Sequence, residues 1–556
     1  MESRTGEAAD VKGSWVRPAS LRGLFAVPLM VAIVLGITSV GAARVLAQSV
    51  PSAAAGPPGT GLAWGNNSDG ELGDGTTTDS STPIAVDLPA DTTITAIAAG
   101  TAYGLALTSA GTVLAWGDNS AGQLGDGTTT DSSTPVAVDL PAGTTVTAVA
   151  AGDRHSLALT STGTMLAWGE NFIGQLGDGT TTRRSTPVAV DLPTGTTITA
   201  MAAGDRHSLA LTSAGTVLAW GDNSAGQLGD GTTTDSSTPI AVDLPTGTTI
   251  TTVAAGAYHS LALASADTLL AWGYNIFGQL GDGSTTDRST PIAVNLPAGT
   301  TITTVSGGAR HTLAVTSADT MLAWGHNNFG QLGDGTTTDR STPVAVNLPT
   351  GTTITTASAG AFHSLAVTST GTMLAWGYNA LGQVGDGTTA TRRRTPVAVD
   401  LPTGTTITAA AAGNRHSLAI APSTSTTTLQ VTPPNPEPDQ PVTLTATVTC
   451  TGSTPTGTVT FLDNTKTLGT EPLSASPTAI LRVTRLTPGT HSIHARYNGD
   501  NNCPTSTSNP TTVTVPKPTI PVTGTSLPTI LTVGSLLTLT GAALILAHRR
   551  RPAHGA

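Results

Sequence analysis

The chain has 556 residues, 64 of them Gly and 36 Pro, with only 11% charged and 3% aromatic. The charged fraction is under half the usual ~25%, which excludes a long charge-patterned helical protein, and 38% hydrophobic residues with a net charge of −11 exclude disorder. Lysine occurs only at Lys12, Lys466 and Lys517, leaving no polybasic patch for nucleic acid, and two cysteines exclude a disulfide-dense scaffold or a multi-cysteine zinc site.

Residues 1–47 read as an export signal. Gly23 to Ala43 is uncharged and mostly apolar behind Arg17 and Arg22, and Val45-Leu46-Ala47 offers a cleavage point. The stretch is also long enough to persist as an uncleaved anchor. Residues 48–60 then read as a linker.

From 61 to 422 one unit recurs. Leu-Ala-Trp-Gly places a tryptophan at Trp64, Trp116, Trp168, Trp220, Trp272, Trp324 and Trp376, always 52 residues apart. A fixed period of this size marks a solenoid, propeller or array. Each unit holds four β-rich runs, such as PVAVDL, TVTAVAAG, HSLALT and TMLAWG, separated by Gly, Pro, Asp and Ser turn signals. Four strands per unit is the composition of a propeller blade.

The signature WGxNxxGQLGxG, a later Pro and the AAGxxHS segment resemble the repeats of the regulator of chromosome condensation family. The resemblance implies a seven-bladed β-propeller. The first copy departs at Glu71 and Tyr103; the seventh has Val384 and one extra residue at Arg392-Arg393-Arg394. Leu62 to Gly65 lacks a preceding hairpin partner and Ser417 to Ile420 a following one. Pairing these two orphans closes the ring and removes both free edges.

Repeated polar residues are expected to serve the fold. The histidines His155, His207, His259, His311, His363 and His416 stand one per repeat, whereas catalysis needs a unique constellation, so each is assigned a structural hydrogen bond at its blade's edge. The Gly-Asp-Gly aspartates read as turn residues, since the flanking threonines give no calcium ladder. The tryptophans read as packing between blades. No catalytic residue, metal or cofactor is therefore expected.

The copies differ after each Trp-Gly and just before each repeated His. The hairpin brings both variable sites to one end of the ring. Tyr274, Ile276, Phe277, His326, Phe329, Phe362 and Tyr378, with Arg310 and Arg415, give that rim the residue types enriched at interfaces. Drift on exposed loops after duplication is the other reading of the same variation.

Past Pro422 the period stops. Over 423–515 strand alternation takes over, with Val442, Leu444, Ala446, Val448 and Cys450 on one face. The runs PTGTVTFLDN and GTHSIHARYNGD resemble bacterial Ig-like domains, which implies a β-sandwich. Cys450 and Cys503, in an exported domain, are expected as a disulfide.

Residues 516–556 read as a wall-sorting signal. Ile520, Pro521, Val522, Thr523 and Gly524 precede an apolar segment, 527–547, and the basic tail His548-Arg549-Arg550-Arg551. This order resembles the sortase signal of Gram-positive surface proteins, with Ile520 where the family has Leu. The resemblance implies cleavage between Thr523 and Gly524 by sortase; the simpler reading is a C-terminal membrane anchor. The sequence thus predicts an all-β, exported, cell-surface binding module for a protein or glycan. Inhibition of a secreted enzyme such as a β-lactamase is the first alternative, which exported bacterial members of the propeller family suggest. Guanine-nucleotide exchange, the namesake's function, fits less well because it needs a cytosolic partner.

Overall fold

The computed structural model describes residues 54–265, 267–500 and 502–519. The export signal, the sorting motif at 520–524 and the expected terminal helices, including the apolar segment 527–547, lie outside the described residues. Regular structure within them is strand alone.

The repeat folds as a four-stranded antiparallel unit. In the first, β3 (Ile94–Ala99), β4 (Tyr103–Thr108), β5 (Val113–Gly117) and β6 (Ser132–Ala137) follow one another across the sheet. This is blade one; blades two to six repeat it over 146–189, 198–241, 250–293, 302–345 and 354–398. The seventh set combines both ends of the array: Ala409–Ala412, His416–Pro422, β1 (Ala54–Gly65) and β2 (Ser80–Ala85). There β1 lies antiparallel to the last repeat, from Gly59 opposite Pro422 to Gly65 opposite His416.

Packing between blades explains the apolar runs. The strands of the central hairpins are buried almost throughout, wholly so in blade two, because each is covered on two faces by neighbouring blades. All seven repeat tryptophans are fully buried. Each indole nitrogen donates to a backbone carbonyl of the preceding blade's loop, as Trp168 does to Gln123 O at 2.8 Å. Gly125 lies under that indole at φ 71°, where a Cβ would stand 2.6 Å from the ring nitrogen. Only glycine fits there.

Two expectations are corrected. The sequence places the first strand of each unit at PVAVDL, yet the strand is Ser132–Ala137 and its equivalents. It is the outermost strand, where Pro135 costs no interior ladder bond, and Val138 instead turns into the core. The expected linker 48–60 is strand from Ala54 onward, with Ala54 opposite Ile97 and Ala55 opposite Ala96. A Pro-Pro step favours extended backbone, so this segment runs along β3 before meeting the last repeat.

The Ig-like domain forms two sheets over Ser425–Thr432 to Thr511–Val515. Val442, Leu444, Ala446 and Val448 fill its core while the intervening threonines face outward. Cys450 and Cys503 form a disulfide, with Cα atoms 5.9 Å apart. The loops beside these cysteines touch the propeller: Asn502 Oδ1 accepts from Thr93 Oγ1 (2.7 Å) and Ser109 Oγ (2.8 Å), and Asp91 Oδ1 accepts from Thr454 N (2.8 Å). Thr93 and Ser109 sit at the turn end of the β4–β5 hairpin. The variable loops lie at the other end.

Candidate interaction site

The repeated histidines settle into the joints between blades. His155 Nε2 lies 2.9 Å from Ser208 Oγ of the next blade, and that hydroxyl donates to Gln175 O at 2.9 Å. The serine proton being used, Nε2 carries the hydrogen and donates. The same joint recurs from His207 to Ser260, His259 to Thr312, His311 to Ser364 and His363 to Ser417. Burial, above all, lowers these imidazoles from 6.5 to about 3 or about 4. The bonds join neighbouring blades rather than lying at a blade's own edge. Two joints depart: Tyr103 of blade one donates its hydroxyl to His155 O at 2.6 Å and accepts from Ser156 Oγ at 3.1 Å, and between blades seven and one Gly104 stands at the hydroxyl's position, leaving His416 Nε2 without a partner.

The Gly-Asp-Gly aspartates are clamps of their own loops. Asp178 Oδ1 accepts from Asn171 Nδ2 at 3.0 Å, and Oδ2 pairs with Arg184 at 2.7 Å. Burial raises Asp178, but the Thr180 hydroxyl and Arg184 outweigh it and hold the group below its ordinary range. Arg288, Arg340 and Arg393 pair likewise with Asp282, Asp334 and Asp386. Among the described residues no cluster of His, Cys, Asp or Glu is arranged to hold a metal.

The variable positions divide the loop end into two arcs. The residue after Trp-Gly is Asp118, Glu170 and Asp222 on blades one to three, but Tyr274, His326 and Tyr378 on blades four to six. Before the repeated His, blades two and three carry Asp153 and Asp205, and blades four to six carry Ala257, Ala309 and Ala361. One half is acidic and the other aromatic.

The aromatic half is continuous. Ring centroids run from Tyr258 to Tyr274 (6.0 Å), Phe277 (6.4 Å), His326 (4.6 Å) and Phe329 (6.5 Å), ending on Phe362 (5.5 Å) and Tyr378 (5.0 Å). Edge-to-face contacts at these spacings are favourable and hold the rings in place. Arg310 lays its guanidinium 5.2 Å over Phe277. His326 is only 4% exposed and bonds Gln331 Nε2 through Nδ1, so it spaces its neighbours rather than presenting itself. Ile276 stands at the tip, 51% exposed.

Arg415 does not join this arc. It lines a polar groove of about 290 Å³ with Asp69, Asp118 and Arg154. Tyr258 belongs to the arc although the site expected from sequence omitted it. Phe172, exposed where the rings of the arc are half-buried, sits apart on blade two under Arg183, 5.3 Å away.

At the centre, the ends of all seven innermost strands enclose a cavity of about 250 Å³, walled mostly by Ala and Gly. Asp205, Tyr258, Arg310 and Asn414 reach it. Protein surrounds the Asp205 side chain although it keeps some contact with channel water, and this burial, with Asp153 nearby, pushes its carboxyl up to about 7. The Tyr258 hydroxyl lies near enough to it to favour the ionised carboxylate.

Four-stranded units around a common cavity, joined by buried indoles and imidazoles, define a repeat β-propeller carrying an Ig-like module. The chain belongs to the RCC1-like domain family, whose model matches residues 60–419; the bacterial Ig-like domain (group 3) matches residues 429–516. The chain is similar to the ultraviolet-B receptor UVR8 of Arabidopsis thaliana, 34% identical over 330 residues, 59% of this chain and 75% of that protein. It is also 34% identical over 275 residues to the E3 ubiquitin-protein ligase HERC2 of Homo sapiens, but these span 49% of this chain and 6% of that one. The structure of Prp20p from Saccharomyces cerevisiae superposes with a TM-score of 0.60 at 25% identity, covering 68% of this chain and 94% of that one.

Proposed function

We propose that the protein is an exported, surface-anchored binding module that engages a partner protein through the aromatic arc. One observation carries this reading: a run of rings from Tyr258 to Tyr378 on loops that in other blades hold Asp, Ser and Ala. These rings are half-buried against one another on loops rather than in a core, and the contiguous apolar surface they keep open is of the kind that marks contact sites. Prp20p, a similar propeller, has been characterised for binding Gsp1p and histones, which supports the propeller as a protein-binding scaffold.

Surface anchoring rests on the apolar segment 23–43, the motif at 520–524, and the apolar segment 527–547 with its arginines. Sortase is the proposed anchoring partner, and neither catalysis nor a cofactor is invoked. The reading also has the ring closed by its own ends, which the pairing of Gly59 to Gly65 with the last repeat supports. Replacing Thr523 and Gly524 by Ala is expected to move the protein from the wall fraction to membrane or medium. If it stays bound through muramidase digestion, sortase anchoring is wrong.

The binding reading is tested by giving Tyr274, Phe277 and Phe329 the Asp, Ala and Ala of blade one. The melting temperature should hold, while binding to partners captured from wall and secreted fractions should weaken by about 2 kcal/mol or more. Undiminished capture would remove the arc as the interface. A glycan or a secreted β-lactamase as the captured species is read out in the same experiment, by enzymatic deglycosylation and by inhibition assay.

A further inference from the structure

We propose that the channel mouth takes a lysine side chain from a basic, apolar-flanked segment of the partner, its ammonium against Asp205 and its apolar neighbours on the aromatic arc. This rests on the arc being the interface and names the chemistry of what binds there.

The cavity is the first support. At about 250 Å³ it falls below the roughly 300–1,000 Å³ of small-molecule sites, which suits one long side chain entering from a surface-bound segment. Its Ala and Gly wall accepts methylenes, and its polar groups sit where a head group would arrive.

The second support is an unfilled demand for charge. Asp205 makes no ion pair among the described residues. The charged groups around it are Asp153, Arg206 and Arg310, with the Tyr258 hydroxyl nearby. Arg206 is exposed, and Arg310 is engaged over Phe277. A carboxyl hemmed in by protein without an ion-paired cation is costly to ionise, and an incoming ammonium relieves that cost. Asn414 Oδ1, buried and without a hydrogen-bond partner, offers a second acceptor at the same cavity. An ammonium brings three donors and no acceptor.

The third support is the division of the face. A segment crossing the mouth meets Glu170 and Asp118, the latter beside Arg154, on one side and rings on the other. Basic residues beside apolar ones complement that pattern.

The test uses the full chain and short capped peptides, identical except for lysine, norleucine or glutamate at the centre of a Leu- and Phe-rich flank. Fluorescence anisotropy should show the lysine peptide binding at least about tenfold tighter than the norleucine peptide. The preference should vanish in Asp205→Ala, which installs the residue three other blades carry there, with melting temperature as the folding control. It should also strengthen from about pH 6 to 8 as Asp205 ionises. Phe277→Ala with Phe329→Ala should weaken all peptides alike. Equal binding of lysine and norleucine peptides, no binding of the lysine peptide, or a preference that survives Asp205→Ala overturns the lysine pocket. If the preference is intact but the ring substitutions change nothing, the arc reading fails instead.

Discussion

His155 shows how a residue repeated for the fold acquires a pH signature. Its imidazole is buried between blades, neutral, and held by Ser208. The unfolded chain protonates such a group near 6.5, while the folded chain refuses the proton until about 3. Stability is therefore fully present above about pH 6.5 and falls as pH drops toward the folded value, by up to about 1.4 kcal/mol per pH unit for each ring. The urea midpoint should fall markedly from pH 7 to pH 5, and His311→Gln should shallow that dependence by about one proton. A midpoint flat over this range would mean the rings are not buried neutral. The sequence showed that these histidines are equivalent, and so not catalytic. It could not show their partners, because each lies 53 or 54 residues away across a blade joint that only stacking creates.

Among elements, the Ig-like domain and the propeller meet through two loops that the Cys450–Cys503 bond ties together. A cross-link over 53 residues restricts the unfolded chain and stabilises the domain by about 2–4 kcal/mol. Cys450→Ser with Cys503→Ser should lower the Ig-like transition by that order and expose 451–456 and 500–504 to limited proteolysis, leaving the propeller transition in place. Equal protease resistance would mean the contact does not depend on the bond. The strands of this domain were legible, since Val442 to Val448 alternate cleanly between core and surface. The outer propeller strands were less so: Ser132–Ala137 is rich in Ser and Thr and contains Pro135, and its half-buried pattern carries no strong period. The start of β1 was missed for a related reason, as its Ala, Gly and Pro read as linker until a sheet edge is there to receive them.

At the scale of the molecule, the repeat array leaves one end of the propeller to the Ig-like domain and the other to the two arcs. The aromatic rim was legible because the copies are otherwise so alike that every departure stands out. Its split into acidic and aromatic halves needed the blade order, and the role of Asp205 needed the channel. The same order bears on the proposed closure of the ring. Between blades seven and one there is no histidine-to-hydroxyl bond, because Gly104 faces His416. What binds the chain ends is the β1 ladder within blade seven and Trp64, whose indole donates to Gln383 O of blade six at 3.0 Å. Deleting Gly61 to Gly65 removes both at once and bares the edge of His416–Pro422, a template for pairing with another chain. The shortened protein should melt well below the parent and form dimers detectable by light scattering. A parent-like melting temperature in a monomeric variant would show that the ends do not hold the ring.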